Sequence, residues 1–488
     1  MIHASVAQLR RALDAGQLSS VELTRLFLAR IEALNPQLNA FISIDTEGAI
    51  AAATAADARI AAGKAGALTG IPLAHQDAFC TSGLLSSAGS KTLANFVSPY
   101  DAHVVSLLKD AGAVMLGKTN MDEFGIGKLG EESFFGAVPN PWNAEHVSGG
   151  SASGSASAVA AGLSPLGTAL DSCAGLRQPA AWNGVTAIRP SYGLISRHGL
   201  IPYAPSFDQA SACAVSAADC ALLLQAMSGF DERDATSIEQ QAALDLTGLD
   251  DQTTEQPLRG LRLGLPQALL AEADPAVMQA FDAALALFRQ LGAELVDIKL
   301  PSAGHAVAIS CALGSAEAST CLSRFDGLRF GYRAAEYQDL NDLYCKSRGQ
   351  GFGSEVKERI LLGTHVLSQA CYQTHYLQAQ RMRRQLTDEL LASLAQCDFI
   401  LSPTTTRGAP RRGELSDTLA CQQLDAFTSL ASIAGLPAIS LPGGVDQHGL
   451  PLGLQLIGPR FAEAGLLRTA HRFQQHSDWH QRRQSLFA

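Results

Sequence analysis

Charged side chains are scarce in this chain of 488 residues. They make up 17% of it, against about 25% in ordinary soluble domains. Disorder needs high charge and little apolar material, and apolar residues here make up 47%. Basic charge is in deficit: 36 Lys and Arg stand against 46 Asp and Glu, a net charge of -10. A broad basic face is therefore not expected, and direct nucleic-acid binding with it. The ten cysteines (Cys80, Cys173, Cys213, Cys220, Cys311, Cys321, Cys345, Cys371, Cys397 and Cys421) are scattered singly, with no CxxC pair. That excludes the usual zinc and thioredoxin-like motifs and suits a reducing, cytoplasmic setting. The 12 His show no HExxH spacing, so no metal and no other cofactor is expected. Long runs of large apolar residues are missing too. The longest uncharged stretches lie near 147–170 and 426–445. The first is filled with Gly and Ser and the second is broken by Pro437 and Pro442. A membrane span wants about 20 mainly large apolar residues. The amphipathic start, Met1 to Arg11, carries no secretory signal.

The length allows two to four domains, or one large one, at roughly 100–200 residues each. Ser19-Ser20-Val21-Glu22 has the spacing of a capping box. Leu23, Leu26, Phe27, Ile31 and Leu34 then recur at helical spacing, and Asn35-Pro36 is expected to stop the run. Ala-rich 47–63 reads as a second helix, 71–74 as a strand, 104–113 as a helix and 114–117 as a buried strand. This alternation predicts an α/β architecture. Further on, 260–266 reads as a strand, 274–292 as a helix and 353–396 as helical. Residues 399–403, 438–443 and 452–458 read as strands. Residues 231–258 are acidic and polar, a surface insertion.

Between 136 and 180 Gly, Ser and Ala dominate. Such a segment cannot fill a core by volume. It suits backbone packed on backbone, or a loop whose N–H groups face a ligand. Its centre runs Ser148-Gly149-Gly150-Ser151-Ala152-Ser153-Gly154-Ser155-Ala156. No Gly-Lys-[Ser/Thr] follows, so it is not a P-loop, and it is not a GxSxG elbow.

Downstream lies Gly167-Thr168-Ala169-Leu170-Asp171-Ser172-Cys173-Ala174-Gly175-Leu176-Arg177-Gln178-Pro179-Ala180. With the preceding loop, it resembles the signature of the amidase signature family, which reads Gly-Gly-Ser-Ser-Gly-Gly-Ser and then Asp-Thr-Gly-Gly-Ser-Ile-Arg-Gln-Pro-Ala. Residues 95–101, 117–124, 360–364 and 452–459 resemble its amidotransferase branch. The resemblance spans about residues 20 to 475. It implies one large α/β domain, a mixed twisted sheet covered by helices on both faces. Within it, 1–65 would be N-terminal helices, 66–230 the signature core, and 259–488 the rest of the same fold. It also implies B- and C-type partner subunits, with tRNA reached only through them.

The family cleaves amides with a Ser–cis-Ser–Lys triad. A serine hydroxyl needs a neighbouring base, and a desolvated lysine can supply one. By the resemblance, the relay serine is Ser151, the lysine position holds Gln76, and the nucleophile position holds Gly175. Losing an essential triad member costs roughly 10⁶ in turnover. A catalytically degenerate scaffold or regulatory subunit is therefore expected. The other reading is a working amidotransferase or amide hydrolase, with Cys173 as a replacement nucleophile and His75 beside it as base, or with ammonia supplied externally. Against that, Cys173 and His75 read as a buried thiol and a structural imidazole. Lys128 is a replacement base or a surface lysine, and Ser153, Ser155 and Ser172 are packing or capping hydroxyls. The resemblance implies that Asp425 holds a substrate α-amino group and that one arginine of a family pair, replaced here by Glu358-Arg359, holds its α-carboxylate, which makes Arg359 the candidate.

Overall fold

Local signals set the N-terminal helices. In the computed structural model, which describes residues 1–239, 246, 249, 256–415 and 417–483, Ser19 caps the helix Ser20–Leu38. Its hydroxyl accepts from the Glu22 N–H at 3.1 Å, and its own N–H donates to the Glu22 carboxylate at 2.7 Å. The helix does not stop at Asn35-Pro36. It carries Pro36 in its last turn and ends at Asn39, whose φ is 47°. Tertiary packing overrides the proline: Leu38 is buried, and Asn35 exchanges two side-chain hydrogen bonds with the Phe41 backbone.

The strands are β1 (Phe41–Ile44), β2 (Pro72–Gln76), β3 (Val114–Thr119), β4 (Pro139–Asn140), β5 (Asn143–Val147), β6 (Leu166–Leu170), β7 (Thr186–Arg189), β8 (Ala210–Ala214), β9 (Arg262–Leu265), β10 (Glu294–Asp297), β11 (Phe399–Pro403), β12 (Ala438–Val445) and β13 (Pro451–Ile457). Among the described residues, β4 and β5 pair alone. The other eleven form one mixed sheet, ordered β1-β3-β2-β6-β8-β7-β12-β13-β11-β9-β10. Pairing is parallel for β2 with β3 and β6, and for β9 with β10 and β11. It is antiparallel from β6 through β8, β7, β12 and β13 to β11. Central strands such as β2, β6, β7 and β8 are buried along their whole length, as strands covered on both faces must be.

The small-residue segment packs backbone against backbone. Every residue of the helix Ser153–Ala160 is buried. A Cβ on Gly154 would fall 2.5 Å from the Ala40 carbonyl and from the Asn120 backbone. The expected helix over 353–396 is two helices, Ser354–Val366 and Leu377–Leu394, separated by a non-helical turn over 367–371 and a π-helical turn at Tyr372–Tyr376. A single wide turn shifts the phase of a helix without changing its composition, so periodicity does not reveal it. Of the expected insertion at 231–258, residues 240–245, 247, 248 and 250–255 lie outside the described residues.

Arg177 ties the loop after β6 to the far side of the core. Its guanidinium is fully buried and donates to both oxygens of Asp171, at 2.8 and 3.0 Å. The same group reaches the Thr428 carbonyl at 2.9 Å, Gln455 Oε1 at 2.7 Å and the Cys173 carbonyl at 2.7 Å. Burial alone would raise the Asp171 carboxyl, but Arg177 outweighs it and holds the group below the ordinary carboxylate range. Breaking one side of a buried, hydrogen-bonded pair leaves a charge unpaired, at a cost of about 3–5 kcal/mol. Urea unfolding of Arg177→Met should therefore lose that amount, with Arg177→Lys recovering little of it because a lysine cannot span the fork. A loss below about 1 kcal/mol would show that the clamp is dispensable.

Candidate active site

The three positions aligned with the family triad meet at the end of β6. Gln76 closes β2, and its Oε1 accepts from the Leu170 N–H at 2.7 Å. Its Nε2 is buried and finds no partner among the described residues. The Gly150–Ser151 peptide is cis. A Cβ built on Gly175 would lie 3.1 Å from Ser151 Oγ and 2.7 Å from the Leu170 carbonyl. The Ser151 hydroxyl thus faces position 175, and a side chain there would require the loop to move. Among the described residues, the backbone N–H groups of Cys173, Ala174 and Gly175 donate to no protein acceptor. Amides left free beside a reacting carbonyl are what an oxyanion hole requires.

Cys173 and His75 are not brought together. Successive strand residues point to opposite faces. His75 Nδ1 pairs with Thr168 Oγ1 at 2.8 Å, and its ring stacks on Phe79. Burial, with help from Lys118 and Lys109, holds this imidazole neutral and pushes its pKa down to about 3. It is a packing group in this arrangement.

Cys173 is instead buried within the reach of charged groups. Its carbonyl is fixed by Arg177 and by the Ser432 hydroxyl at 3.1 Å. Burial pushes its thiol up to about 11; Lys128 pulls it down and Asp425 pushes it up. Lys128 is not a surface lysine. Its side chain is 15% exposed, and its ammonium donates to Asp425 Oδ2. Burial would lower this ammonium, yet Asp425 outweighs it and raises the group. A lysine held protonated is no general base. The second Asp425 oxygen, Oδ1, is buried with no hydrogen-bond partner among the described residues. Arg359 stands on the helix Ser354–Val366, 4% exposed, with Glu355 at 3.2 Å and Cys311 Sγ at 3.3 Å. Its charge is felt at Lys128 and at the buried Tyr203.

Of the other sequence candidates, Ser172 donates to Asp208 at 2.6 Å and Ser155 pairs with Thr119 at 2.6 Å, while the Ser153 hydroxyl is buried without a partner among the described residues. Two residues escaped the sequence reading. Tyr203 is buried within the reach of the charge on Arg359, its hydroxyl packed against Gly314. Lys118, fully buried, donates to the Phe79 carbonyl and to Ser86 at 3.1 Å, with Asp77 at 3.8 Å. A lysine inside the apolar run of β3 was the one signal for it.

A thiol of high pKa reacts in proportion to its small thiolate fraction, which grows about tenfold per pH unit below the pKa. Alkylation of Cys173 in the isolated chain, followed by peptide mass spectrometry, should rise with that slope from pH 7 to 9 without levelling. A plateau below pH 9 would contradict the arrangement.

The Amidase family matches residues 22–467 of the chain. The chain is 57% identical over 486 residues to a protein of Azoarcus sp. (strain BH72) named as the A-type subunit of glutamyl-tRNA(Gln) amidotransferase, covering 99% of this chain and 100% of that protein. It is 55% identical to the protein of the same name from Aromatoleum aromaticum, covering 100% of each. Among solved structures, the protein of that name from Thermotoga maritima matches with a TM-score of 0.77 and 34% identity over 96% of this chain and 93% of that one. The peptide amidase of Stenotrophomonas maltophilia matches with a TM-score of 0.81 and 31% identity, over 97% and 96%. These likenesses correct the expectation of a catalytically degenerate scaffold. A chain matched from end to end by relatives named for the amidotransferase fits a working component of it, and the side chains at positions 76 and 175 do not by themselves show a loss of activity. This chain is a member of the amidase signature family.

Proposed function

We propose that this chain is a working A-type component of a glutamyl-tRNA(Gln) amidotransferase, supplying amide nitrogen for tRNA-dependent formation of Gln or Asn. The end-to-end likeness to relatives of that name carries the reading. Its setting is the cytoplasm; among the described residues no helix is long and apolar enough to cross a membrane. B- and C-type subunits are its partners, and they make the contacts to tRNA, in keeping with the chain's net charge of -10.

In this reading Cys173 replaces the vacated serine. The substrate is glutamine, its ammonium at the free oxygen of Asp425 and its carboxylate toward Arg359. The Cys173 sulfur attacks the side-chain amide carbon, and the carbonyl oxygen gathers negative charge against the free N–H groups of the loop. The C–N bond then breaks. The thiol proton ends on the departing nitrogen, which leaves as ammonia. Water cleaves the resulting thioester, restores the thiol and releases glutamate. Cysteine suits this role because it is intrinsically the stronger nucleophile once ionised.

A second reading, in which ammonia arrives from solution, is favoured by the contact of Lys128 with Asp425: Asp425 raises that ammonium and burial raises the Cys173 thiol, so Lys128 is not a neutral base for the thiol. One experiment separates the two. The complex with B- and C-type subunits is given Glu-tRNA(Gln), ATP, and either glutamine or ammonium chloride. Cys173→Ala should cut glutamine-driven amidation by about 10³-fold or more, while amidation from ammonium chloride reports that the complex is intact. Full glutamine-driven activity in Cys173→Ala would exclude the thiol. Wild-type amidation from ammonium chloride with none from glutamine would establish the second reading.

A further inference from the structure

Lys128 has no part in the chemistry above, yet it sits on the carboxylate assigned to the substrate. The contact joins two residues 297 positions apart in the chain. Asp425 is 2% exposed, and Oδ2 accepts from Lys128 while Oδ1 stays buried without a partner among the described residues. A buried carboxylate with one oxygen left free still draws an incoming cation. Lys128 reaches it on a flexible four-carbon stem carrying a compact ammonium, and its side chain keeps some exposure. The charged or ionisable groups around that ammonium are Asp425, Cys173, Arg359 and Cys421. Two cations cannot share one carboxylate in a dry pocket without repulsion, since Coulomb energy grows as the dielectric falls.

We propose that Lys128 is a positioning residue that occupies Asp425 in the ligand-free protein, that the ammonium of an amino-acid substrate takes this carboxylate over, and that the displaced lysine then stands as counter-ion to the Cys173 sulfur. The inference rests on the nucleophile reading above. It makes reactivity depend on the substrate's ammonium group. While the seat is empty, Lys128 stays on Asp425 and the thiol stays protonated. When the seat fills, the Asp425 charge is balanced by the substrate and Lys128 joins Arg189 and Arg383, whose charges already reach the sulfur, the arrangement that lowers a thiol's pKa. An amide lacking the ammonium group would enter the pocket without releasing the lysine. Lys128 gains and loses no bond and keeps its protons throughout.

The test compares wild type with Lys128→Met and Lys128→Gln, each as full chain in the complex. Binding is measured by calorimetry with two probes: L-glutamate, and glutarate, which is the same diacid without the ammonium. With its competitor removed, Asp425 should bind L-glutamate about tenfold tighter or more, while glutarate shifts less than about twofold. L-glutamate should also raise the melting temperature of Lys128→Met more than that of wild type, because its ammonium repairs the unpaired carboxylate. In glutamine-driven turnover both variants should show a lower KM together with a kcat reduced about a hundredfold. Unchanged or weaker L-glutamate binding in both variants would overturn the displacement, as would glutarate tightening equally. An unchanged kcat would overturn the counter-ion step. The binding comparison needs no turnover. If Cys173→Ala keeps glutamine-driven activity, the nucleophile reading fails alone, and the calorimetry still decides whether Lys128 competes for Asp425.

Discussion

The buried pair of Arg177 and Asp171 is the constraint on which the rest of the site depends. Position 171 follows directly on β6, and position 177 opens the next helix. A guanidinium offers five donors in a fixed fork. Here they reach Asp171, the Cys173 carbonyl, the Thr428 carbonyl and Gln455. The loop 171–177 is thereby stapled at both ends and to the opposite half of the sheet. Its thiol and its free backbone amides hold their positions because the arginine leaves the loop no freedom. Arg189, also fully buried, adds a contact to the Asp171 carbonyl. A charge cluster this deep costs much desolvation and contributes chiefly positional accuracy, which is what a site built on a loop most needs.

The second constraint is steric. The strand-and-loop region around Ser151 lies close to its neighbours because Gly, Ser and Ala fill nearly all of the segment from 148 to 162. A side chain on Gly150 would strike Asp122, and one on Gly154 would strike the Asn120 backbone. Small residues let the helix Ser153–Ala160 lie against the sheet at backbone distance, so Ser151 is delivered to the end of β6 beside position 175. Packing and electrostatics thus converge on one place from two directions: the helix brings Ser151, and the arginine clamp brings Cys173.

Much of this was legible in the sequence. The capping box at Ser19 and Glu22, the buried strands and the poverty of bulk between 136 and 180 each have a local cause that a sequence shows. The mixed α/β sheet followed from the alternation and from the family signature. What was hidden depends on long-range contacts. Pro36 is overridden by the burial of Leu38. The π-helical turn at Tyr372–Tyr376 leaves no trace in periodicity. Lys128 reads as a surface lysine until Asp425, distant in sequence, is folded against it. His75 sits next to Gln76 in sequence but belongs to the other face of β2. The expectation of a dead scaffold has the same root. It treats two side chains, at positions 76 and 175, as the whole of the chemistry, whereas end-to-end likeness to named amidotransferase proteins points to a working role and turns attention to the thiol two residues away.

In the proposed reaction Cys173 carries the acyl group. Quenching the assembled complex in acid during turnover with glutamine, and mapping its peptides by mass spectrometry, tests it most directly. A glutamyl thioester confined to the Cys173 peptide, released by hydroxylamine and absent without glutamine, is the predicted result. Steady glutamine-driven amidation with the Cys173 peptide unmodified, and the acyl group instead on Ser151, would contradict the account.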